Sequence, residues 1–130
     1  MKKKILIIDD DRELCGEMAG FLRDEGYAVA TAPDGSAGLA RAARGGYGLV
    51  ILDLKLPGVN GLDLLTRLRR GGNATPVIVL SGSPLVASSD ADSGKPASAA
   101  DRRALRLAVA VIPKPFDVDS LLLLIRDLLG

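Results

Sequence analysis

Apolar residues fall in short unbroken runs separated by amphipathic stretches. Residues 5–8 (Ile-Leu-Ile-Ile), 49–52 (Leu-Val-Ile-Leu), 77–80 (Val-Ile-Val-Leu) and 109–112 (Val-Ala-Val-Ile) are four-residue runs bounded by polar or turn residues. Runs of this length, rich in β-branched side chains, predict buried strands. Residues 28–32 predict a weaker strand. Between the runs the period changes. Leu14, Met18, Phe21 and Leu22 form one helical stripe, which Asp11 can cap and Gly26 can end. Pro33-Asp34-Gly35 is a turn, after which Ser36 is expected to cap a small Ala-rich helix closing near Gly45-Gly46. Leu62, Leu65 and Leu68 mark a helix that ends in Arg67, Arg69 and Arg70, charges that suit a helix C-terminus. Residues 101–108 predict a further helix, and Asp117 is expected to cap a last one over 121–129.

Strands and helices alternate, and the strands are continuously apolar rather than alternating. Both features predict a parallel sheet covered on its two faces. Residues 1–130 read as a single domain, with no internal repeat or interdomain linker. Residues 83–98 differ from the rest: Ser, Ala, Asp, Gly and Pro dominate, which predicts a long flexible loop.

The strand ends carry the candidate chemistry. Asp9, Asp10 and Asp11 follow the first strand, Asp53 the third, Ser81 the fourth and Lys114 the fifth. In an open α/β sheet the ligand site lies beyond the carboxyl ends of the strands, so these groups are expected at one edge. Several carboxylates at one place repel each other and resist ionisation unless a cation joins them. Asp11 alone reads as a helix cap.

Composition narrows that chemistry. The chain has no His and one Cys. Ser-His-Asp and Cys-His nucleophiles, His-ligated zinc and an internal disulfide are therefore excluded. Oxygen-only ligation selects Mg²⁺, or Mn²⁺, over zinc. Lys114 offers a point positive charge and Ser81 a hydroxyl, so the pocket suits a phosphoryl group held by metal, ammonium and hydroxyl, with a carboxylate as acceptor. The net charge of +1 gives no global attraction to nucleic acid or to an anionic membrane. The apolar run after Lys2, Lys3 and Lys4 stops after four residues, too short for a signal peptide, and no stretch reaches membrane-span length. A cytoplasmic protein without membrane insertion or direct nucleic-acid contact is expected.

The segments Ile7-Ile8-Asp9-Asp10-Asp11, Asp53-Leu54-Lys55-Leu56-Pro57-Gly58-Val59-Asn60-Gly61, Val79-Leu80-Ser81-Gly82 and Lys114-Pro115-Phe116 occur in this order along nearly the whole chain. Together they resemble the receiver domain of two-component response regulators. The resemblance implies a flavodoxin-like (CheY-like) doubly wound sheet of five parallel strands in order 2-1-3-4-5 with five helices. It implies Asp53 as phosphoacceptor and Mg²⁺ held by Asp10, by Asp9 largely through water, by Asp53 and by the backbone carbonyl of Lys55. It also implies Ser81 as the switch hydroxyl, Lys114 as the phosphoryl ion pair and a cis Lys114-Pro115 peptide. The implied partners are a histidine kinase or histidine phosphotransfer protein, and a downstream protein or fused output domain.

Two features depart from that family. Ser81 and Lys114 are 33 residues apart, roughly ten more than the family uses, and structureless loops beyond about 12–15 residues are uncommon. The excess falls in 83–98, where the fourth helix should begin. Val111 stands where the family commonly has Tyr or Phe, so no ring can follow the movement of Ser81. Both departures concern the output surface. In the run Leu121–Leu124, Leu123 and Leu124 exceed the expected core stripe and suggest a homodimer face on the last helix. Two other functions remain open on the residues alone. One is a pseudo-receiver, a phosphorylation-independent protein-binding module. The other is a metal-dependent phosphohydrolase with Asp53 as nucleophile; that class commonly has a second acid two residues on, where this chain has Lys55.

Overall fold

The computed structural model describes residues 3–56, 61–81, 103–114 and 116–129. The expected loop at 83–98, the turn at 57–60, Gly82 and the Lys114-Pro115 peptide lie outside them. The described strands are β1 (Lys4–Ile8), β2 (Ala28–Ala32), β3 (Leu49–Asp53), β4 (Val77–Ser81) and β5 (Ala110–Pro113). The helices are α1 (Arg12–Asp24), α2 (Gly35–Arg44), α3 (Gly61–Arg70) and α4 (Val118–Leu129). All strand pairs are parallel, in the order β2-β1-β3-β4-β5.

The two-residue period of a strand divides each apolar run between two cores. Ile5, Ile7, Leu49, Ile51, Ile78 and Leu80 meet Cys15, Met18 and Leu22 of α1 and Leu121, Leu122 and Ile125 of α4. Leu6, Ile8, Val50, Leu52, Val77 and Val79 face the other way, toward Ala42 of α2 and Leu64, Leu65 and Leu68 of α3. Ile5 through Ile8 are completely buried, and each such side chain contributes about 2 kcal/mol of transfer free energy. This burial on both faces is why the runs are continuous and need few aromatics.

Local chemistry fixes the helix starts. Asp11 Oδ1 accepts the Leu14 N–H at 3.0 Å, as expected of a cap. Gly26, at φ 98°, lets the chain leave α1 in the left-handed region. The cap of α2 is Asp34, not Ser36: Asp34 Oδ1 accepts the Ala37 N–H at 2.8 Å. Both residues are cap formers; Asp34 wins because β2 ends at Ala32 and the helix already begins at Gly35. Asp34→Ala is therefore expected to cost about 1 kcal/mol and Ser36→Ala close to nothing, readable as urea midpoints.

Three other boundaries move. The expected helix over 101–108 is helical among the described residues only at 103–105. It then tightens, with Leu107 N–H donating to Ala104 O and Ala108 N–H to Leu105 O, the three-residue spacing of a 3₁₀ turn. Val109 precedes β5 and is 48% exposed; its N–H donates to Val77 O at 2.9 Å. α4 begins at Val118, three residues before the apolar stripe, and Asp117 Oδ1 accepts the Asp119 N–H at 3.2 Å. Leu124 packs against the core, which leaves Leu123 as the exposed leucine of that helix. No helix among the described residues is long and apolar enough to cross a membrane.

Candidate phosphoacceptor site

Strand order reverses between β1 and β3, so a crevice opens at their carboxyl ends. Parallel register sets what lies there. Ile8 pairs with Leu52, which places Asp9 beside Asp53; Asp53 pairs with Leu80, which places Ser81 on the next strand at nearly the same level. Beyond β5 the ladder continues, with Lys114 N–H donating to Ser81 O at 2.8 Å. Asp9, Asp53, Ser81 and Lys114, four of the six polar groups expected at one edge, are thus delivered there by register.

The site is acidic and mostly closed. Asp9, Asp53 and Ser81 are buried, Asp10 is exposed, and Lys114 is half-buried. Asp9, Asp10 and Asp53 each offer a carboxylate oxygen within 4.8 Å of the others. Lys114 Nζ donates to Asp53 Oδ2 at 3.1 Å and lies 3.7 Å from Asp9 Oδ2. Asp9 Oδ1 accepts the Asp11 N–H at 3.0 Å, but buried Oδ2 has no hydrogen-bond donor. Asp53 Oδ1 accepts the Lys55 N–H at 3.1 Å, which turns the chain after β3 back over the site.

One lysine does not balance these carboxylates. Burial pushes the Asp9 carboxyl up to about 6, and the neighbouring Asp53 charge adds to the rise; the Asp11 N–H and Lys114 oppose it. Burial works against the Lys114 charge, yet the hydrogen bond and charge of Asp53, with Asp9, outweigh it and raise the pKa above its ordinary value. Cys15 packs below. Its Sγ donates to Asp9 O at 3.5 Å, and burial with nearby acids pushes the thiol up to about 11. It is a buried small side chain with little thiolate character.

Response regulator receiver domains, as a family, match this chain over residues 5–126. The chain belongs to that family. This receiver domain is 38% identical over 125 residues to the transcriptional regulatory protein YkoG of Bacillus subtilis, covering 96% of this chain and 50% of YkoG. It is 38% identical over 118 residues to the transcriptional activator PfeR of Pseudomonas aeruginosa, covering 91% of this chain and 35% of PfeR. It thus spans half the length, or less, of these curated relatives. A CheY-like receiver domain from Methanospirillum hungatei superposes with a TM-score of 0.80 at 29% identity, over 98% of this chain and 93% of that one. The response regulator TrrA of Thermotoga maritima, solved in complex with Mg²⁺-BeF, superposes at 0.76 with 28% identity, over 98% and 99% of the two chains. The expected fold, including strand order, is that of this family.

The strand ends mark Asp9, Asp53, Ser81 and Lys114 along the chain, but not their pairing. That Lys114 reaches both Asp53 and Asp9 depends on register across three strands, for which linear spacing holds no signal.

Proposed function

We propose that this receiver domain accepts a phosphoryl group on Asp53 and converts it into a change of protein surface. The observation that carries the reading is the buried Asp53 carboxylate with Lys114 Nζ 3.1 Å away, inside a trio of acids. A carboxylate attacking phosphorus yields an acyl phosphate. An oxygen of Asp53 forms the new bond to phosphorus while the bond to the donor's leaving group breaks. The resembling family takes this group from a phosphohistidine, and these 130 residues contain no His. The donor is then a separate histidine kinase or phosphotransfer protein or domain, or a small acyl phosphate.

The residues fit a hard divalent cation. The donor set is all oxygen, and buried Asp9 Oδ2 is left without a hydrogen-bond donor. Asp9, Asp10, Asp53 and the Lys55 carbonyl would hold Mg²⁺, or Mn²⁺, which when bound neutralises charge on the phosphoryl oxygens. Lys114 then pairs with a phosphoryl oxygen and Ser81 donates its hydroxyl to another, which biases a two-state surface. The output is a fused domain or a partner, in keeping with the greater length of the transcriptional regulators it is similar to. A cytoplasmic setting suits the single unpaired cysteine.

Incubation with acetyl phosphate and Mg²⁺ is expected to add one phosphoryl group per chain, and EDTA to prevent it. A chain that stays unmodified, or is modified equally in EDTA, contradicts the reading. A pH effect follows from Asp9. Its folded-state pKa of about 6 stands above the ordinary 3.8, so its favourable share of metal-free stability is complete below about pH 4 and is lost as pH rises through 6. A bound cation relieves that loss only where Asp9 is ionised. The rise in Tm on adding Mg²⁺ is therefore expected to be large at pH 8 and small at pH 5, measured by thermal denaturation. An equal rise at both contradicts it.

A further inference from the structure

A second cleft lies along the outer edge of β2, between α1 and α2. Its volume is about 440 Å³, within the roughly 300–1,000 Å³ range of small-molecule sites. Three arginines line it: Arg12 and Arg23 from α1, and Arg41 from α2. Asp10, Asp53, Ser81 and Lys114 do not line it; it adjoins the phosphoacceptor pocket and shares Asp9 with it. The acid that lines it, Asp9, is buried and lies against Lys114.

Two of the arginines are held in place. Alternate residues of β2 bond to the β1 side, as Ala28 N–H does to Lys3 O and Ala32 O does to Asp9 N–H. The carbonyls of Val29 and Thr31 therefore face the free edge. Arg23 Nη2 donates to Val29 O at 3.0 Å, and Arg41 Nη1 donates to Thr31 O. Residues two apart on a strand are roughly 7 Å apart, so two guanidiniums stand side by side along the edge. Each spends one donor on the strand and keeps the others of its fork. None of the three arginines is ion-paired among the described residues. Capping edge carbonyls accounts for one donor on each of two arginines. It does not account for Arg12, or for three uncompensated charges around a concavity.

Between the arginines the lining is small and mainly apolar: Cys15, Gly16, Ala19, Ala32 and Pro33. Gly16 keeps it open, since nothing stands within 4 Å of where its Cβ would be. Arginine forks match phosphate oxygens bidentately, and two forks anchored on alternate carbonyls of one strand edge can each take a phosphoryl group of the same ligand. A bare diphosphate would leave the apolar part of the cleft empty. We infer that this cleft binds a nucleoside diphosphate, with its phosphoryl groups on Arg12, Arg23 and Arg41 and its nucleoside against the wall at Gly16 and Ala19.

The test is a titration of the ¹⁵N-labelled chain with ADP, and separately with inorganic pyrophosphate, in EDTA so that the acidic trio holds no metal. ADP is expected to shift the amides of Gly16, Arg23, Thr31 and Arg41 saturably, and to bind more tightly than pyrophosphate. Arg41→Ala is expected to weaken ADP by about tenfold, the loss of one charge-assisted contact. Gly16→Glu is expected to abolish binding by filling the cleft with a negative side chain. Gly16 is exposed and helical, and Glu is the better helix former, so this variant keeps the fold; an unchanged amide spectrum elsewhere checks that. The inference is overturned by the absence of saturable shifts, by shifts centred on Lys114, by undiminished binding in Gly16→Glu, or by ADP binding no more tightly than pyrophosphate.

Discussion

Asp53→Asn is expected to take no phosphoryl group from acetyl phosphate under conditions that fully modify the wild type. The substitution keeps the size of the side chain and its place at the end of β3, where the wild-type residue is buried. It removes the nucleophile, since a neutral carboxamide does not attack phosphorus to give an acyl phosphate as a carboxylate does. It also takes one carboxylate from the trio within 4.8 Å and the charged partner of Lys114 at 3.1 Å. Weaker Mg²⁺ binding is expected alongside the lost modification. Asp10→Asn separates the two effects, because it spares the nucleophile: modification should slow and recover at high Mg²⁺. Intact-mass spectrometry reads both variants. Modification of Asp53→Asn at the wild-type level would place the acceptor elsewhere.

Gly61→Ala is expected to destabilise the fold by about 2 kcal/mol or more, as overpacking against unyielding neighbours does. A Cβ at Gly61 would lie 2.8 Å from Leu54 Cα, 3.0 Å from Asp53 O and 3.1 Å from Leu54 O. These are backbone atoms of the segment that carries Asp53, and the Gly61 N–H itself donates to Leu54 O at 3.3 Å. The methyl group can be admitted only by moving that segment, so the rate of phosphorylation should fall together with stability. Gly20→Ala is the opposite case. Gly20 is exposed within α1, nothing stands within 4 Å of its absent Cβ, and the change should stabilise by about 0.5–1 kcal/mol. Urea denaturation of the pair checks the sign of each. Equal midpoints for Gly61→Ala and wild type would contradict the close approach.

Much of this architecture was legible along the chain because its strands are buried on both faces. A run such as Leu49-Val50-Ile51-Leu52 can then be read without knowing which face it serves, and the acid that ends it marks the ligand edge. Legibility failed where burial is partial. β5 lies at the sheet edge, so the run from Val109 left its start open by one residue. Asp34 and Ser36 are equivalent as cap formers, and only the end of β2 decides between them. α4 opens with a turn whose exposed Val118, Asp119 and Ser120 lie outside the apolar stripe, so its first residues escaped the pattern. In the site, the ends of β1, β3, β4 and β5 pointed to Asp9, Asp53, Ser81 and Lys114. The unpartnered Oδ2 of Asp9 and the arginine cleft were not readable, because each depends on groups brought together from separate elements.

The most direct test concerns where the phosphoryl group sits. An acyl phosphate is reduced by borohydride to the alcohol, so an aspartyl phosphate becomes homoserine at the modified position. The wild-type chain, treated with acetyl phosphate and Mg²⁺, reduced and mapped by peptide mass spectrometry, is expected to carry homoserine at position 53 and to lack it when EDTA is present. Homoserine at another aspartate, or none at all, would contradict the assignment of Asp53 as the phosphoacceptor.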